Sequence, residues 1–512
     1  MAAVRHKIGI VGAAISGPTL ALQILAHPIL RERYAPILWD QTPNPFPAHL
    51  PSASEASSTS PPTAIPAENL QTAGAAIALS GNGLAPLYDL GLRAAIDLRS
   101  QEFTGASFWR SGYGSPLLNP GESVERAYPA TAVRLNRMQD PTWSTELGTN
   151  MRIIERRDLQ EILLKKVLES GGEVVWKRKL EKVEEISGAG GVRVSFKGGK
   201  SEDVSLLVGA EGAWSEVRRT ILRRRDESTA EERWVPDFMG ATGIYGISSP
   251  EIAPLAEEGV EKEVLDDTHG IWLDHGTLST SPLPGGKIRW DLIIPETSPS
   301  DYSAPKGTKI FDAEVKGNTT SSWEFRIIAG AYSKDLTIDI LRRHAGVYHP
   351  ATGSFGRLIA ASERIVRSPL RQRVWQANEI QCGNVVLIGD ASRLMLPSSG
   401  QGSSFAIEDA TVLANCLLNQ PASPDANFRT ALEEYAQLRV SRSKRMARMA
   451  SLAGQLGLAQ RWYWKWLRDY GIKWTPMPKN PKARGKKQWP FDDRFSVELK
   501  QDASNQILLT ES

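Results

Sequence analysis

Three short stretches of this 512-residue chain carry residue types with specific chemistry. The first, Gly12-Ala13-Ala14-Ile15-Ser16-Gly17, follows the apolar run Lys7 to Val11 and precedes a segment with Leu20, Ile24 and Leu25 at helical spacing. A glycine turn between strand and helix aims backbone N–H groups and the positive end of the helix dipole at one point, which suits a pyrophosphate. Ala14 occupies the middle position where a dinucleotide fingerprint has glycine, so a methyl group stands where backbone should approach phosphate. Asp40 closes a second apolar run, Ile37 to Trp39, where a carboxylate can accept both ribose hydroxyl protons. The second stretch, Leu206 to Arg218 (LLVGAEGAWSEVR), reads as a buried strand, an acidic turn and a helix starting near Ser215. The third, Val385 to Ala410 (VVLIGDASRLMLPSSGQGSSFAIEDA), ends a buried strand at Gly389-Asp390 and places a glycine pair around Gln401 at a helix start. Asp390 can accept from a polyol hydroxyl, while N–H groups from Gly400 to Ser403 favour negative charge. A reduced isoalloxazine carries its charge at the N1/C2=O edge, which such donors stabilise.

The elements that must position these residues are legible as strand, turn and helix over Lys7 to Leu30, then a strand to Asp40, giving a parallel βαβ unit. Gln41 to Asn69 is rich in Pro, Ser, Thr and Ala without periodicity and reads as a surface excursion. Order returns at Gly74 to Leu79, and Gly83 to Leu90 reads as a helix stopped by Gly91. Arg157 to Glu169 is an amphipathic helix stopped by Gly171 and Gly172, and Glu173 to Val208 carries short strands in the manner of an antiparallel meander. From Trp234 to Arg373 short strands with Pro and Gly punctuation predict a separate sheet, before Val385 to Ile388 resumes the buried-strand pattern. Ser404 to Leu418 and Thr430 to Leu467 read as helices, followed by a basic tail (KNPKARGKKQWP) expected on the surface. For the aromatic cluster Trp462 to Trp466 packing against the body is the favoured reading and contact with a membrane the alternative.

Composition narrows the classes. With 61 Lys+Arg against 58 Asp+Glu, the net charge of +3 gives no electrostatic case for a nucleic-acid partner. Two cysteines, Cys382 and Cys416, make neither a disulfide framework nor a cysteine-rich zinc site, and no metal site is expected. Without a signal-peptide h-region or an apolar run of membrane-spanning length, a cytoplasmic protein with no integral membrane segment is expected.

In matching order, GAAISG, Asp40, GAAIALSGNGLAPLYDLGL, IERRDLQEIL, GAEGAWSEVR, ATGIYGISSPEI and GDASRLMLPSSGQG resemble the single-component, class A FAD-dependent monooxygenases with the para-hydroxybenzoate hydroxylase fold. Within that family the spacing is most similar to the tetracycline-modifying enzymes. The resemblance implies an α/β fold: a discontinuous, Rossmann-like FAD-binding domain with an inserted β-sheet substrate domain and a C-terminal helical segment. The expected division gives residues 1–232 and 373–430 to FAD, 233–372 to substrate and 431–512 to the C-terminal helix and tail, with part of the substrate sheet near 95–150. It further implies that Gly12, Ala14, Gly17, Asp40, Gly74, Ala76, Arg156, Gly389, Asp390, Pro397, Gly400, Gln401, Gly402 and Ser403 contact FAD, with Leu159 packing beneath Arg156.

The implied activity uses NADPH or NADH and O2 to insert one oxygen atom, by hydroxylation, epoxidation or Baeyer-Villiger chemistry, into an aromatic or polycyclic small molecule of secondary metabolism. The alternatives are a flavin oxidase or dehydrogenase without oxygen insertion, and a flavin-retaining cyclase or scaffold. Because the flavin carries the chemistry, no catalytic dyad is required. Tyr245 and Arg218 are the side-chain candidates, although a surface position is the simpler reading for Arg218. Tyr245, Trp272, Trp290 and Phe238 are candidates for an apolar substrate cavity. Three residues depart from the family pattern: Glu211 replaces its Asp, Arg393 its His, and Gln71 lies near a position that is cationic in the tetracycline-modifying group.

Overall fold

The computed structural model describes residues 5–46, 76–114, 147–186, 190–253, 259–297, 332–420 and 428–471, with 124, 127, 129–139 and 323–328 between them. Most of the Pro- and Ser-rich excursion, together with Gly74, Gln71 and the basic tail, lies outside the described residues.

The strands His6–Val11, Tyr34–Trp39, Leu206–Gly209, Val385–Leu387 and Glu173–Val175 pair in parallel in one six-stranded sheet, and Gln381–Cys382 closes one edge antiparallel. Ile10 lies between Leu38 and Val208, so the two strands carrying the phosphate-turn and acidic-turn motifs end at the same level of the sheet. Buried Ile8, Ile10, Trp39, Leu163, Val386 and Leu413 belong to the core beneath it, as a parallel sheet covered on both faces requires.

A second, mostly antiparallel sheet runs in the order Ile327–Ile328, Ser362–Val374, Asp237–Ser248, Ile288–Pro295, Thr277–Pro282, Thr268–Trp272, Gly105–Ser111 and Ala132–Gln139. Its outer face packs Ile244, Trp290, Leu292 and Ile365 against Phe355 and Leu358 of the helix Phe355–Ala360. Alternation then turns Tyr245, Arg289 and Asp291 to the other face.

Several local expectations are corrected. The first helix divides into Ser16–Ala26 and Pro28–Arg33, because Pro28 supplies no N–H for the ladder and starts a new helix. Glu173–Val175 and Leu206–Gly209 join the parallel sheet; the antiparallel meander consists of Leu180–Ile186, Gly191–Phe196 and Lys200–Val204. The long C-terminal helix is Arg429–Leu458, ended by Ala459 in the left-handed conformation at φ 46°, and a second helical segment starts at Trp462.

Candidate functional site

At the end of the first strand, Gly12 has φ 109°, and a Cβ there would meet the Ala210 carbonyl oxygen at 2.4 Å, so the turn requires glycine. A Cβ on Gly17 would lie 2.0 Å from the Gly12 oxygen, where the first helical turn closes on the loop. The loop is clamped from two sides: Ala13 N donates to Asp40 Oδ2 at 2.8 Å, and Gln160 Nε2 donates to Ala13 O at 2.9 Å. Ala14 between them is half-buried. The helix Ser16–Ala26 has no side-chain cap and no acidic residue in its first turn, which leaves its leading N–H groups for an anion.

Asp40 is buried, and its Oδ1 accepts from Thr42 N at 2.8 Å and Thr42 Oγ1 at 2.7 Å. With Ala13 on the other oxygen, most of the roughly four acceptor sites of a carboxylate are used inside the loop. Room remains for one ribose hydroxyl, where two were expected from the sequence.

Gly389, at φ 61°, follows the strand Val385–Leu387 and donates its N–H to Asp409 Oδ2 at 2.8 Å. A Cβ at Gly389 would sit 2.8 Å from Ser16 Oγ, so this turn lies directly against the start of the first helix. Asp390 beside it is solvent-accessible, yet protein encloses it closely enough that desolvation raises its carboxyl above the ordinary range, opposed by Arg156, Arg393 and Arg218. An accessible but enclosed carboxylate belongs to the wall of a cleft.

On the same wall, Pro397–Ser399 forms a short turn ended by Gly400 at φ 62°, and Gly402–Leu418 is a 17-residue helix without a side-chain cap or an acidic first turn. Pro397, Gly400 and Gly402 are exposed, and Ser403 is half-buried. A Cβ on Gly400 or Gly402 would meet nothing within 4 Å. Gln401 is buried between them; its Nε2 donates to Ser80 Oγ at 2.8 Å, and its Oε1 has no partner within the protein. Two uncapped helix starts, an open-faced carboxylate, an unpaired amide oxygen and empty space before two glycines offer donors for phosphate, an acceptor for a polyol and donors for an anionic ring edge. The donor set fits FAD.

This wall is braced from behind. Asp409 is fully buried and takes Arg393 Nη1 on one oxygen and Arg439 Nε on the other at 2.7 Å, while Glu408 receives Arg439 and Arg442 and is held down to about 2 despite its desolvation. All three guanidinium groups lie over the Phe405 ring, at 4.9, 5.4 and 4.9 Å. Arg393, standing where the family has His, is thus part of an ionic anchor for the Gly389 turn. Glu211 accepts from Ser215 Oγ at 2.8 Å and Val217 N at 3.0 Å, so it caps the helix Glu216–Arg225 as a shorter Asp would.

Across the cleft, Ala76 pairs with Glu155, immediately before Arg156 at the start of the helix Arg156–Glu169. Leu159, one turn on, is fully buried. Burial lowers the Arg156 pKa, and the charges of Asp390 and Tyr245 oppose that shift. Tyr245 is half-buried opposite Asp291, and burial raises its pKa. Asp291 is likewise raised by burial and pairs with Arg289 at 2.6 Å; Arg289 Nε has no partner within the protein.

Sequence reasoning missed Gln160, Arg289 and Asp291. The alternation in GKIRWDLIIP held the signal for the latter two, since charges flanking Trp290 on a sheet strand must share the face opposite it. Trp290 itself is no cavity residue: it is fully buried in the outer core, donates to Ser362 Oγ at 2.9 Å and packs edge-on to Phe355. Trp272 packs against Phe108, and Phe238 is half-buried on its strand. Arg218 is not a surface residue. It is fully buried, donates to the carbonyls of Ala391 (2.9 Å), Ala213 (2.5 Å) and Trp234 (3.0 Å), and stacks 3.8 Å from the centre of Trp375. Desolvation pulls its pKa down to about 9, and its fixed donors make it a staple between the helix and the Asp390 turn.

Among the described residues no group of three or more His, Cys, Asp and Glu is placed to hold a metal, and no helix is long and apolar enough to cross a membrane.

The FAD binding domain family profile matches residues 351–450, the stretch that contains the Asp390 wall. The chain is 26% identical over 397 residues to the aurachin C monooxygenase/isomerase of Stigmatella aurantiaca, covering 77% of this chain and 83% of that protein. It is 29% identical over 313 residues to the FAD-dependent monooxygenase idtM of Claviceps paspali, covering 60% and 55%. Among solved structures, a single-substitution variant of HpxO of Klebsiella pneumoniae complexed with FAD superposes with a TM-score of 0.64 at 16% identity, covering 98% of this chain and 99% of that one. The tetracycline destructase Tet(51) does so at 0.56 with 15% identity, covering 93% and 100%. The chain therefore has the α/β fold of the class A FAD-dependent monooxygenases, a Rossmann-like FAD-binding domain with an inserted sheet domain and C-terminal helices. The matched profile and the fold together support FAD as the group this wall holds.

Proposed function

We propose that the chain is a FAD-dependent monooxygenase that consumes NADPH or NADH and O2 and inserts one oxygen atom into an aromatic or polycyclic small molecule. The observation that carries this reading is the pair of uncapped helix starts, Ser16–Ala26 and Gly402–Leu418, with the Gly389-Asp390 turn packed against the first of them. The similarity to a monooxygenase/isomerase and to 3-amino-4-hydroxybenzoate 2-monooxygenase of Streptomyces cremeus, 26% identical over 391 residues, supports the reaction class. FAD-binding residues fall in 1–232 and 373–430, and the substrate face in 233–372.

When bound, FAD would supply the electron transfer and oxygen activation. The chain's residues hold and orient. Gly12, Ala14 and Gly17 with the first helix N–H groups receive the pyrophosphate, while Asp40 keeps the loop closed and accepts one ribose hydroxyl. Asp390 accepts from the polyol, and N–H groups at Gly402 and Ser403 hold negative charge at the ring edge, where Pro397, Gly400 and Gln401 form the wall. Ala76 and Arg156 close the opposite side. Tyr245, raised by burial, stays a phenol at neutral pH and is therefore a hydrogen-bond donor toward substrate or ring.

Purified protein is expected to be yellow and, with a suitable substrate, to incorporate one atom of isotopically labelled O2 per NAD(P)H oxidised. Stoichiometric peroxide without oxygenated product would instead mark an oxidase. Turnover indifferent to both nicotinamide and O2 would mark a flavin-retaining cyclase.

A further inference from the structure

The last described segment, Trp462–Trp466 continuing into Leu467–Gly471, is amphipathic the wrong way round for a helix lying on a protein body. Trp462, Tyr463, Trp466, Leu467 and Tyr470 are exposed, whereas Trp464, Lys465 and Asp469 are half-buried and Arg468 is buried. The polar side faces in. Arg468 is fully buried and donates to Leu273 O at 2.7 Å and Gly457 O at 3.1 Å; Lys465 pairs with Asp274 at 2.6 Å and Asp469 with Arg110 at 3.1 Å. These bonds fix the segment to the second sheet and leave its aromatic side outward, with Trp462 80% exposed, Trp466 59% and Tyr470 55%. Leu452, near the end of the preceding helix, is exposed as well. Of the aromatic cluster only Trp464 is half-buried; Trp462, Tyr463 and Trp466 are exposed, contrary to the expectation that the cluster packs against the body.

We propose that this aromatic face docks on an anionic lipid surface. A helical segment anchored by a buried arginine and flanking ion pairs, with Trp and Tyr outward, has the composition of an interfacial segment, since amphipathic rings favour the headgroup boundary. Charge selects the occupant. Residues 472–490, which follow directly, contain Lys473, Lys479, Lys482, Arg484, Lys486 and Lys487 and no Asp or Glu. Such a run next to inserted aromatics is attracted to anionic headgroups, whereas a second copy of the chain would bring two clusters of like sign together. The absence of a membrane-spanning helix among the described residues makes this a peripheral contact.

The test is flotation of the full-length protein with phosphatidylcholine vesicles and with phosphatidylcholine/phosphatidylserine vesicles, alongside quenching of tryptophan fluorescence by brominated phosphatidylcholine. The protein is expected to float with the anionic vesicles, less with the neutral ones and less at high salt, with its tryptophans quenched. The double variant Trp462→Ser, Trp466→Ser should lower partitioning about tenfold or more while melting as the parent does, both side chains being exposed. The proposal is overturned if the parent stays at the bottom of the gradient with both vesicles, or if the double variant floats equally well. A concentration-dependent dimer that the double variant abolishes also overturns it, because the face would then join two copies. Should the double variant melt early, Trp462→Ser alone and quenching of the parent decide, and an unquenched parent refutes lipid contact.

Discussion

Replacing Gly402 by alanine separates the needs of the fold from those of the cofactor. Gly402 is exposed at the first position of its helix, outside the left-handed region, and a Cβ there meets no protein atom within 4 Å. The flavin-free protein should therefore gain about 0.4–1 kcal/mol from the reduced freedom of the unfolded chain. If the isoalloxazine lies against this wall, the same methyl overpacks the contact at about 1–3 kcal/mol, which weakens FAD binding about 5- to 150-fold. The assay pairs thermal unfolding of flavin-stripped protein with a fluorescence titration of FAD. The two observables should move in opposite directions. Stabilised apoprotein with parental FAD affinity would refute the placement of the ring at Gly400 to Ser403.

Asp390→Asn should show the same opposition from another cause: desolvation raises this carboxyl, so the amide should raise the melting temperature of the apoprotein while FAD affinity falls about 10- to 100-fold with the loss of a charged acceptor. Asp409→Ala removes the buried partner of Arg393 and Arg439 and the acceptor for Gly389 N, and should cost about 3–5 kcal/mol in urea unfolding. Burial lowers the pKa of His349, His269 and His344 below that of a free imidazole, so all three are held neutral when folded. Their contribution is complete above the unfolded value and lost as pH falls below it, so the urea midpoint should drop between about pH 7.5 and 5.5. His349→Gln, which can still reach Thr280 and Thr352, should flatten that slope, and an unchanged slope would remove His349 from the account.

The fold was legible because its strongest signals are local. A β-branched run, a glycine turn and a helical repeat announce a βαβ unit wherever its partners lie, and the Gly389 to Ser403 stretch carries strand, turn and helix start in one window. What the sequence hid was non-local. Leu206–Gly209 looks like one more meander strand until its partners, His6–Val11 and Val385–Leu387, are known to flank it from far along the chain. Arg218 looks like a surface arginine until Ala391, Trp234 and Trp375 are folded around it. The charges of residues 289 and 291 alternate with Trp290 in plain view, but only the packing of Phe355 decides which side of the strand is core. Nor could periodicity reveal that Lys465, Arg468 and Asp469 would turn toward the body, since their partners Asp274, Leu273 and Arg110 lie far upstream.

The most direct trial of the central claim is a calorimetric titration of flavin-stripped protein with FAD, FMN and riboflavin in turn. Two helix starts acting on opposite ends of one ligand predict a single FAD per chain, bound more tightly than FMN, with riboflavin weakest. No heat with FAD from folded protein, or equal affinity for FAD and riboflavin, would contradict it.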